Sequence, residues 1–529
     1  MIGFPPSPDW MPSWASSWPL IAVESLGLYT VGVVVYRRYF HPLAKVPGPF
    51  LPAVTGLYAW YYNVPKTGQF YKEIERLHKG HGPVVRIGPN EIHLSNPANY
   101  DKIYSIGGKF YKDPIFYGAL GIEYSIFTSS SNEVHRVRRA PLNPFFSRRA
   151  VLGLQNIVRA KVSKLIRRME KTLDSGSPFD VHSAVRAISV DVVTEYAFDN
   201  CWDQLDQPDL GAWFSDMVGG SANFFYTCGQ FPFLVKPVQA LPDAVARRLD
   251  KGISDMLDCV AKTKSQVTSV RERLARGEEA ERTTIFHELM HPHAGGMDRA
   301  PEEVPSVQDL AGEAFTFTTA AADTTGNAIN MACYNVVTRP GMLRRLREEV
   351  VEAYPDPDAD MDSSVLEKLP FLAGVVKEGQ RLSYGVISRL PRKTPAGGAE
   401  FDGFFVPEGT TVGMSSWMMH RNPDVFPDPD AFDPARWMGD AQSRAVLERN
   451  LVSFSKGSRM CLGQNLAMCE MYLTIASVFR RFDDLVSYET TDDDMVYVDC
   501  FSAFHPSDAK KFHVVRKSKA QQYSQAGAS

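Results

Sequence analysis

The apolar positions form one unbroken run near the start of the chain and, after it, a long series of helix-spaced stripes. From Trp18 to Tyr36 the run WPLIAVESLGLYTVGVVVY holds a single charge, Glu24, and about 20 such residues span a bilayer. Beyond it, apolar residues at three- and four-residue spacing predict helices near 151–171, 243–276, 307–336, 340–354, 366–382 and 464–480. The stretch PVVRIGPNEIHL, residues 83–94, alternates about Gly88, Pro89 and Asn90 and predicts a strand hairpin. The polar, charged run 262–305 predicts a surface loop between two helices, and the last dozen residues, SKAQQYSQAGAS, a disordered tail. The pattern as a whole predicts a mainly α protein with a minor β-sheet region, preceded by a single N-terminal transmembrane helix. Its divisions are 1–40, a membrane anchor; 41–517, one globular domain; and 518–529, the tail.

Charge orients the anchor. Arg37 and Arg38 follow the apolar run at once, which predicts a cytosolic body, with Trp10, Trp14 and Trp18 near the opposite interface. A cleaved signal peptide fits less well, because the run has no basic stretch before it and its flanking charges have the wrong order. In HPLAKVPGP, residues 41–49, three prolines predict a stiff extended connector that aims the body. With 529 residues, 44% of them apolar, the chain can bury a large core, and no low-complexity linker divides it. A net charge of −4 supplies no basic field to gather nucleic acid, so that partner is excluded. The cysteines, Cys201, Cys228, Cys259, Cys333, Cys461, Cys469 and Cys500, are odd in number and lack a C-x-x-C pair. They predict a reducing compartment and, Cys461 aside, ordinary small apolar residues.

FSKGSRMCLG, residues 454–463, gives Cys461 unusual company. Glycines let a backbone turn sharply and approach something large and flat that side chains would block. QNLAMCEMYLTIASVF then reads as a helix, so Cys461 lies just before a helix N-terminus, whose free N–H groups and dipole favour a thiolate. Phe454, Gly457, Arg459, Cys461 and Gly463 match F-x-x-G-x-R-x-C-x-G, the haem-binding signature of the cytochrome P-450 family, which this chain resembles. The resemblance implies a P-450 fold over residues 41–517 with heme b bound through the Cys461 thiolate as axial iron ligand. It also implies that Arg459 pairs with a haem propionate and that Phe454 packs near the sulfur.

More of the family's pattern follows in the right order. KEGQRL places Glu378 and Arg381 three apart on one helix face, and DPARW supplies Arg436. The family uses such residues as a buried triad that fixes the cysteine loop, a task suited to the planar fork of arginine. In TAAADTTGN, an acid and two threonines interrupt an apolar helix. One reading has Thr324 and Thr325 bonding back to the preceding turn with Asp323 in water. The other follows the family's oxygen-binding groove, with Asp323 and Thr324 relaying protons as the catalytic pair. Ala321 stands where the family often has glycine, and its methyl narrows that groove. His135 and Arg139, in HRVRRAPLNPFF, take places where the family often has a tryptophan and an arginine beside the propionates. Arg392, with Arg389 as the alternative, is a further propionate partner.

HELMH, His287 to His291, matches the H-E-x-x-H of zinc peptidases through His287, Glu288 and His291. Pro292 follows at once and PHAGGM lacks the G-x-x-H continuation, so the pentapeptide reads as the end of a surface helix. A haem sensor or non-oxygenase haem enzyme on the same fold is the other alternative, and the Asp323-Thr324 pair speaks against it. The resemblance implies a monooxygenase that hydroxylates or epoxidises an apolar small molecule with one atom of O2. Only 68 residues follow Cys461, too few for a flavin domain. Electrons are therefore expected from NADPH through a separate NADPH-cytochrome P-450 reductase, with cytochrome b5 as a second donor. The expected location is the endoplasmic reticulum membrane, single-pass, with the catalytic domain facing the cytosol. The expected substrate pocket draws on Ile115, Phe116, Tyr117, Phe315, Phe317, Thr318, Ala320, Val386, Ile387, Phe501 and Phe504. YRRYFHPLAKVPGP and LNPFFSRRA resemble filamentous-fungal members of the trichodiene-oxygenase type, which act on terpenoid or polyketide intermediates of specialised metabolism.

Overall fold

A computed structural model describes residues 18–198, 200–249, 251–278, 282–291 and 304–519. Trp10, Trp14, the end of the polar run at 292–303, and all of the expected tail beyond Lys519 lie outside the described residues. The helices that frame the site are α1 (Trp18–Val35), α2 (Asn132–Arg139), α3 (Arg148–Asp174), α4 (Val181–Phe198), α5 (Ala212–Gly220), α6 (Lys251–Ala275), α7 (Ile285–Met290), α8 (Val307–Val337), α9 (Pro340–Ala353), α10 (Pro370–Ser383) and α11 (Gln464–Arg481). The strands used below are β1 (Val84–Gly88), β2 (Glu91–Leu94), β3 (Tyr111–Lys112), β4 (Arg392–Lys393), β5 (Thr411–Gly413), β6 (Val498–Cys500) and β7 (Ser502–Phe504).

Helix α8 runs through the molecule and packs against α4, α10, α6 and α11. It starts with reciprocal capping, the Ser306 hydroxyl accepting from Asp309 N–H while the Asp309 carboxylate accepts from Ser306 N–H. From Thr325 to Val337 every residue is buried. Helix α10 starts at Pro370, whose missing N–H costs nothing in the first turn. The predicted hairpin is β1 paired with β2, and β2 continues into a five-stranded sheet in the order β1, β2, β5, β4, β3. Only β2 and β5 pair in parallel there, Glu91 opposite Thr411. Separately, β6 and β7 make a tight antiparallel hairpin turning at Phe501, a non-glycine residue held at φ 73°.

Two sequence expectations are corrected here. The run from 262 is no surface loop at its start: α6 continues to Ala275 because Cys259, Thr263, Gln266, Val267 and Val270 form a buried stripe beneath its charged face. Farther on, α7 buries Ile285, Phe286 and Leu289. The connector is not extended throughout either. Residues 41–46 turn tightly, with Leu43 and Val46 in the core of the first sheet, and only the prolines beyond them run extended. Pro47 O accepts from Arg86 N at 2.7 Å, and Arg86 Nη1 donates to Arg37 O at 2.9 Å, so the end of the anchor is tied to β1. The segment Leu20–Phe40 is long and apolar enough to cross a membrane, and its residues are not buried against the body.

Candidate active site

The cysteine loop closes on itself through Cys461 N–H to Phe454 O at 2.9 Å. Gly457 lies at φ 74°, and a Cβ there would meet the Ser105 carbonyl carbon at 2.5 Å, so no other residue fits without moving the turn at Ser105. Gly463 differs: an added Cβ meets nothing within 4 Å, leaving open space beside the sulfur-bearing residue. Phe454 packs against the main core. Cys461 lies deep inside the molecule yet keeps an accessible surface. Burial pushes its thiol up, against the Gly463 N–H and the Arg139 guanidinium, which pull it down. The expectation that the helix terminus would by itself favour a thiolate is therefore corrected. A coordinated metal cation reverses the balance, because it deprotonates a ligating thiol outright.

Beneath the loop, Glu378, Arg381 and Arg436 come together. Arg381 Nε and Nη2 donate to Glu378 at 2.8 and 2.7 Å, with both side chains fully buried. Arg436 Nε stands 3.3 Å from Glu378 Oε1. The Trp437 indole and Asp433 N–H also donate to this carboxylate, each at 2.9 Å. Arg381 spends its remaining donors on the carbonyls of His420, Pro429 and Ala431. His420, which the sequence did not single out, carries the connection forward: its Nδ1 meets Arg381 O and its Nε2 accepts from Val452 N–H at 2.9 Å. Burial drops its pKa to about 3, so it stays neutral and can accept that bond.

Facing the loop is a knot of cations, with Lys112 and Arg392 buried and Arg139 and Arg459 half-buried. Arg459 donates to the carbonyls of Ser129 and Ser130 and to Asn132 Oδ1. Arg139 donates to Met460 O at 2.7 Å, and Arg392 to Tyr117 Oη at 2.8 Å. Lys112 on β3, absent from the sequence reading, lies 4.3 Å from the Tyr117 ring centroid and 4.1 Å from that of Phe127. Burial and the surrounding cations push Lys112 far down, Arg459 down to about 10 and His135 down to about 3. Among the described residues no carboxylate pairs with this group. Arg389, the alternative to Arg392, is instead bonded to Glu91. Buried cations without a counter-charge are costly unless an anion joins them. One thiol, open space beside Gly463 and this uncompensated charge fit a haem carrying two propionates. Haem with both propionates esterified should bind the apoprotein more weakly by about 2 to 5 kcal/mol, roughly 30-fold or more. Titration followed by the haem absorbance checks this, and equal affinity for the ester would contradict it.

Along α8, Thr316, Ala320 and Thr324 lie one turn apart and keep accessible surface in the midst of the packed protein, with Thr319 and Ala321 half-buried beside them. Thr316 and Thr319 were not anticipated, although the helical spacing from Thr324 points to them. The structure keeps one half of the back-bonding reading of Asp323-Thr324 and corrects the other. Thr324 bonds back to Ala320 O at 2.8 Å, but Asp323 is buried, accepting from Arg186 Nε at 2.8 Å and Ser215 Oγ at 2.7 Å. Burial raises its pKa, with Arg186 opposing.

Several expected pocket residues are corrected to core packing. Phe317 stacks on Phe146 with centroids 5.8 Å apart, Phe315 packs beside Val190 and Phe214, Thr318 is fully buried and bonded to Ala314 O, and Ile387 belongs to the main core. Ile115 is exposed, and Phe504 packs against Gly219. Tyr117 joins the cation knot. What remains is an aromatic cluster in which Phe116, Phe127 and Phe225 surround Phe501 at 5.3 to 6.2 Å, with Val386 bridged to Ser502 nearby. In the zinc-like motif, α7 ends at Met290 and His291 is already extended, so its two histidines do not share the rigid helical turn that a zincin needs.

Comparison with known proteins places this geometry. The cytochrome P450 family pattern matches residues 47–499. A cytochrome P450 monooxygenase, MO6277, of Ascocoryne sarcoides is 36% identical over 482 residues, covering 88% of this chain and 92% of that protein. Conidiogenone synthase PchP450 of Penicillium rubens is 35% identical over 470 residues, with 88% and 92% covered. The cytochrome P450 monooxygenase TRI4 of Fusarium sporotrichioides is 31% identical over 483 residues, with 90% of each covered. A family match over residues 47–499 and relatives 31 to 36% identical over nearly their full length accord with a cysteine loop seated on a buried Glu-Arg-Arg triad, and the chain belongs to the cytochrome P450 family.

Proposed function

We propose that this chain oxygenates an apolar terpenoid or polyketide intermediate, by hydroxylation or epoxidation, with haem held on Cys461. The family and its fungal relatives establish oxygenation in a secondary-metabolite pathway as the reaction class. The observation that carries the finer reading is the pairing of an accessible, loop-bound Cys461 with a helix face, Thr316 to Thr324, that stays open inside a packed protein. Haem supplies the activation of O2 and the transfer of one of its atoms. The chain's own residues do the rest. Arg459, Arg139, Arg392 and Lys112 hold the propionates, and His135 stands neutral among them. The triad of Glu378, Arg381 and Arg436 fixes the loop. The aromatic cluster around Phe501 and the methyl of Ala320 exclude water and orient an apolar substrate. Asp323 supplies protons and Thr324 positions them in the groove. Electrons come from NADPH through a separate reductase, with cytochrome b5 as a second donor. Residues 1–40 anchor the enzyme in the endoplasmic reticulum with its body in the cytosol.

Thr324→Ala tests the groove. The variant should bind haem normally but form several-fold less product and more hydrogen peroxide per NADPH, since one hydrogen bond is worth about 0.5 to 1.5 kcal/mol. Product, peroxide and NADPH are measured with reductase in excess, and unchanged coupling would leave Thr324 a helix residue only.

A further inference from the structure

Six buried side-chain polar atoms without a hydrogen-bond partner gather along one seam: Asp323 Oδ2, Asn330 Oδ1 and Nδ2, His182 Nδ1, His505 Nε2 and the Tyr497 hydroxyl. Asp323, Asn327, Asn330 and Tyr334 fall at i, i+4, i+7 and i+11, one face of α8. Helix α4 lies antiparallel along that face. Val190 and Ala322 belong to one buried cluster, and Gly326 abuts Arg186 so closely that a Cβ would lie 2.7 Å from Arg186 Cγ. One turn back along α4, the same register brings His182 level with Asn330. The His182 and His505 rings are 5.4 Å apart, and the Tyr497 ring lies 4.6 Å from His505. Arg186 stands at the centre, its charge acting on Asp323, His182, His505 and Tyr497 alike. At the outer end the Tyr334 hydroxyl donates to exposed Asp492 at 2.8 Å, and His505 is half-buried.

Buried polar atoms are almost always partnered, and ordered water serves those that the protein does not. A single orphan is ordinary. Six on one seam, among them both ends of the Asn330 amide, mark a place built around water. We propose that this seam holds a file of ordered waters that returns protons from solvent, entering by Tyr334-Asp492 and His505, to Asp323. The proposal rests on the reading of Asp323 as the groove's proton donor. When Asp323 gives up one proton it becomes a carboxylate, and one proton enters from solvent at the outer end. Each water and imidazole between accepts one proton and passes one on, so the seam keeps its charge and no oxidant or reductant is required. Oδ2 takes the proton while Oδ1 stays bonded to Arg186 and Ser215. Asn327 cannot serve the file, because Arg186 holds its oxygen and its amide donates to Ala503 O.

The test has two arms, both on the haem-loaded full chain with the reductase as electron source. A high-resolution crystal structure should show waters bonded to Asp323 Oδ2 and to the Asn330 amide, and a dry seam would overturn the proposal. Asn330→Leu, close to the amide in size, and His182→Phe should each lower product formed per NADPH by about three-fold or more, as expected for loss of a proton route. Both should raise the solvent deuterium isotope effect on product formation and leave the carbon monoxide difference spectrum unchanged. Wild-type coupling and isotope effect in both variants would overturn the relay. Should either variant fail to fold, the waters of the unsubstituted protein still decide. Asp323→Asn separates this proposal from the reading beneath it: retained turnover there refutes the acid and the relay together, whereas slowed turnover beside silent seam variants refutes the relay alone.

Discussion

Cys461→Ser should abolish product formation, a fall of at least three orders of magnitude or about 4 kcal/mol of barrier, and should remove the thiolate signature from the carbon monoxide difference spectrum. The physical reason lies in the loop. Cys461 is fixed by its N–H bond to Phe454 O, beside a Gly463 that leaves the approach open. A serine hydroxyl fits the same space but gives up its proton far less readily than a thiol, and its hard oxygen is a poorer donor to haem iron. Cys461→His distinguishes loss of the thiolate from loss of the fold, because imidazole also ligates haem. That variant should retain haem and helical circular dichroism while losing both the thiolate spectrum and turnover. Product formation by either variant at more than about a tenth of the normal rate would mean that another residue holds the iron, since one decade is only about 1.4 kcal/mol of barrier.

Glu378→Gln should destabilise the protein by about 3 to 5 kcal/mol and cost it most of its haem, because removing one partner of a buried ion pair leaves the others uncompensated. Glu378 accepts from Arg381 twice, from Trp437 and from Asp433 N–H, with Arg436 at 3.3 Å, and none of its surface is exposed. The substituted amide keeps the shape but presents N–H groups to two guanidiniums. Since a domain's whole stability is about 5 to 15 kcal/mol, the variant should melt many degrees lower and express largely without haem. Glu367→Gln makes the contrast: its bidentate pair with Arg148 is partly exposed, and such pairs are worth about 0 to 1 kcal/mol. Denaturant melts and haem content per chain compare the two. Equal losses would show that the Glu378 network is no more than a surface pair in its effect.

What could be read from the sequence followed from where periodicity survives burial. Helices α3 and α9 each show a polar face to solvent, so their stripes are plain. Helix α4 is buried on nearly all sides, which erases the amphipathic contrast, and it went unmarked although it carries Arg186 and His182. Helix α6 was marked by its periodicity through 276, and only its charged face made the residues from 262 read also as the start of a surface loop. Cys461 and the triad were legible because their chemistry demands fixed residue types at fixed spacing. Lys112, His420 and Ser215 were not, because each gains its meaning from a distant part of the chain, Lys112 beside Arg392 and Arg459, His420 beside Val452 and Ser215 beside Asp323. The pocket was the least legible part. Phe315, Phe317 and Thr318 share a helix with Ala320 and Thr324, and only the packing of Phe146, Phe214 and Phe286 against them shows which face is core.

Isotope-labelled dioxygen gives the most direct test that this cytochrome P450 inserts oxygen. The full chain, loaded with haem and supplied with reductase and NADPH, is offered candidate terpenoid and polyketide intermediates under labelled O2, and the products are weighed by mass spectrometry. The predicted result is a product carrying one labelled oxygen atom, with the second atom of each O2 leaving as water. A product whose new oxygen comes from water, or an isomer that has gained no oxygen, would contradict the account and assign the chain to non-oxygenase chemistry on the same fold.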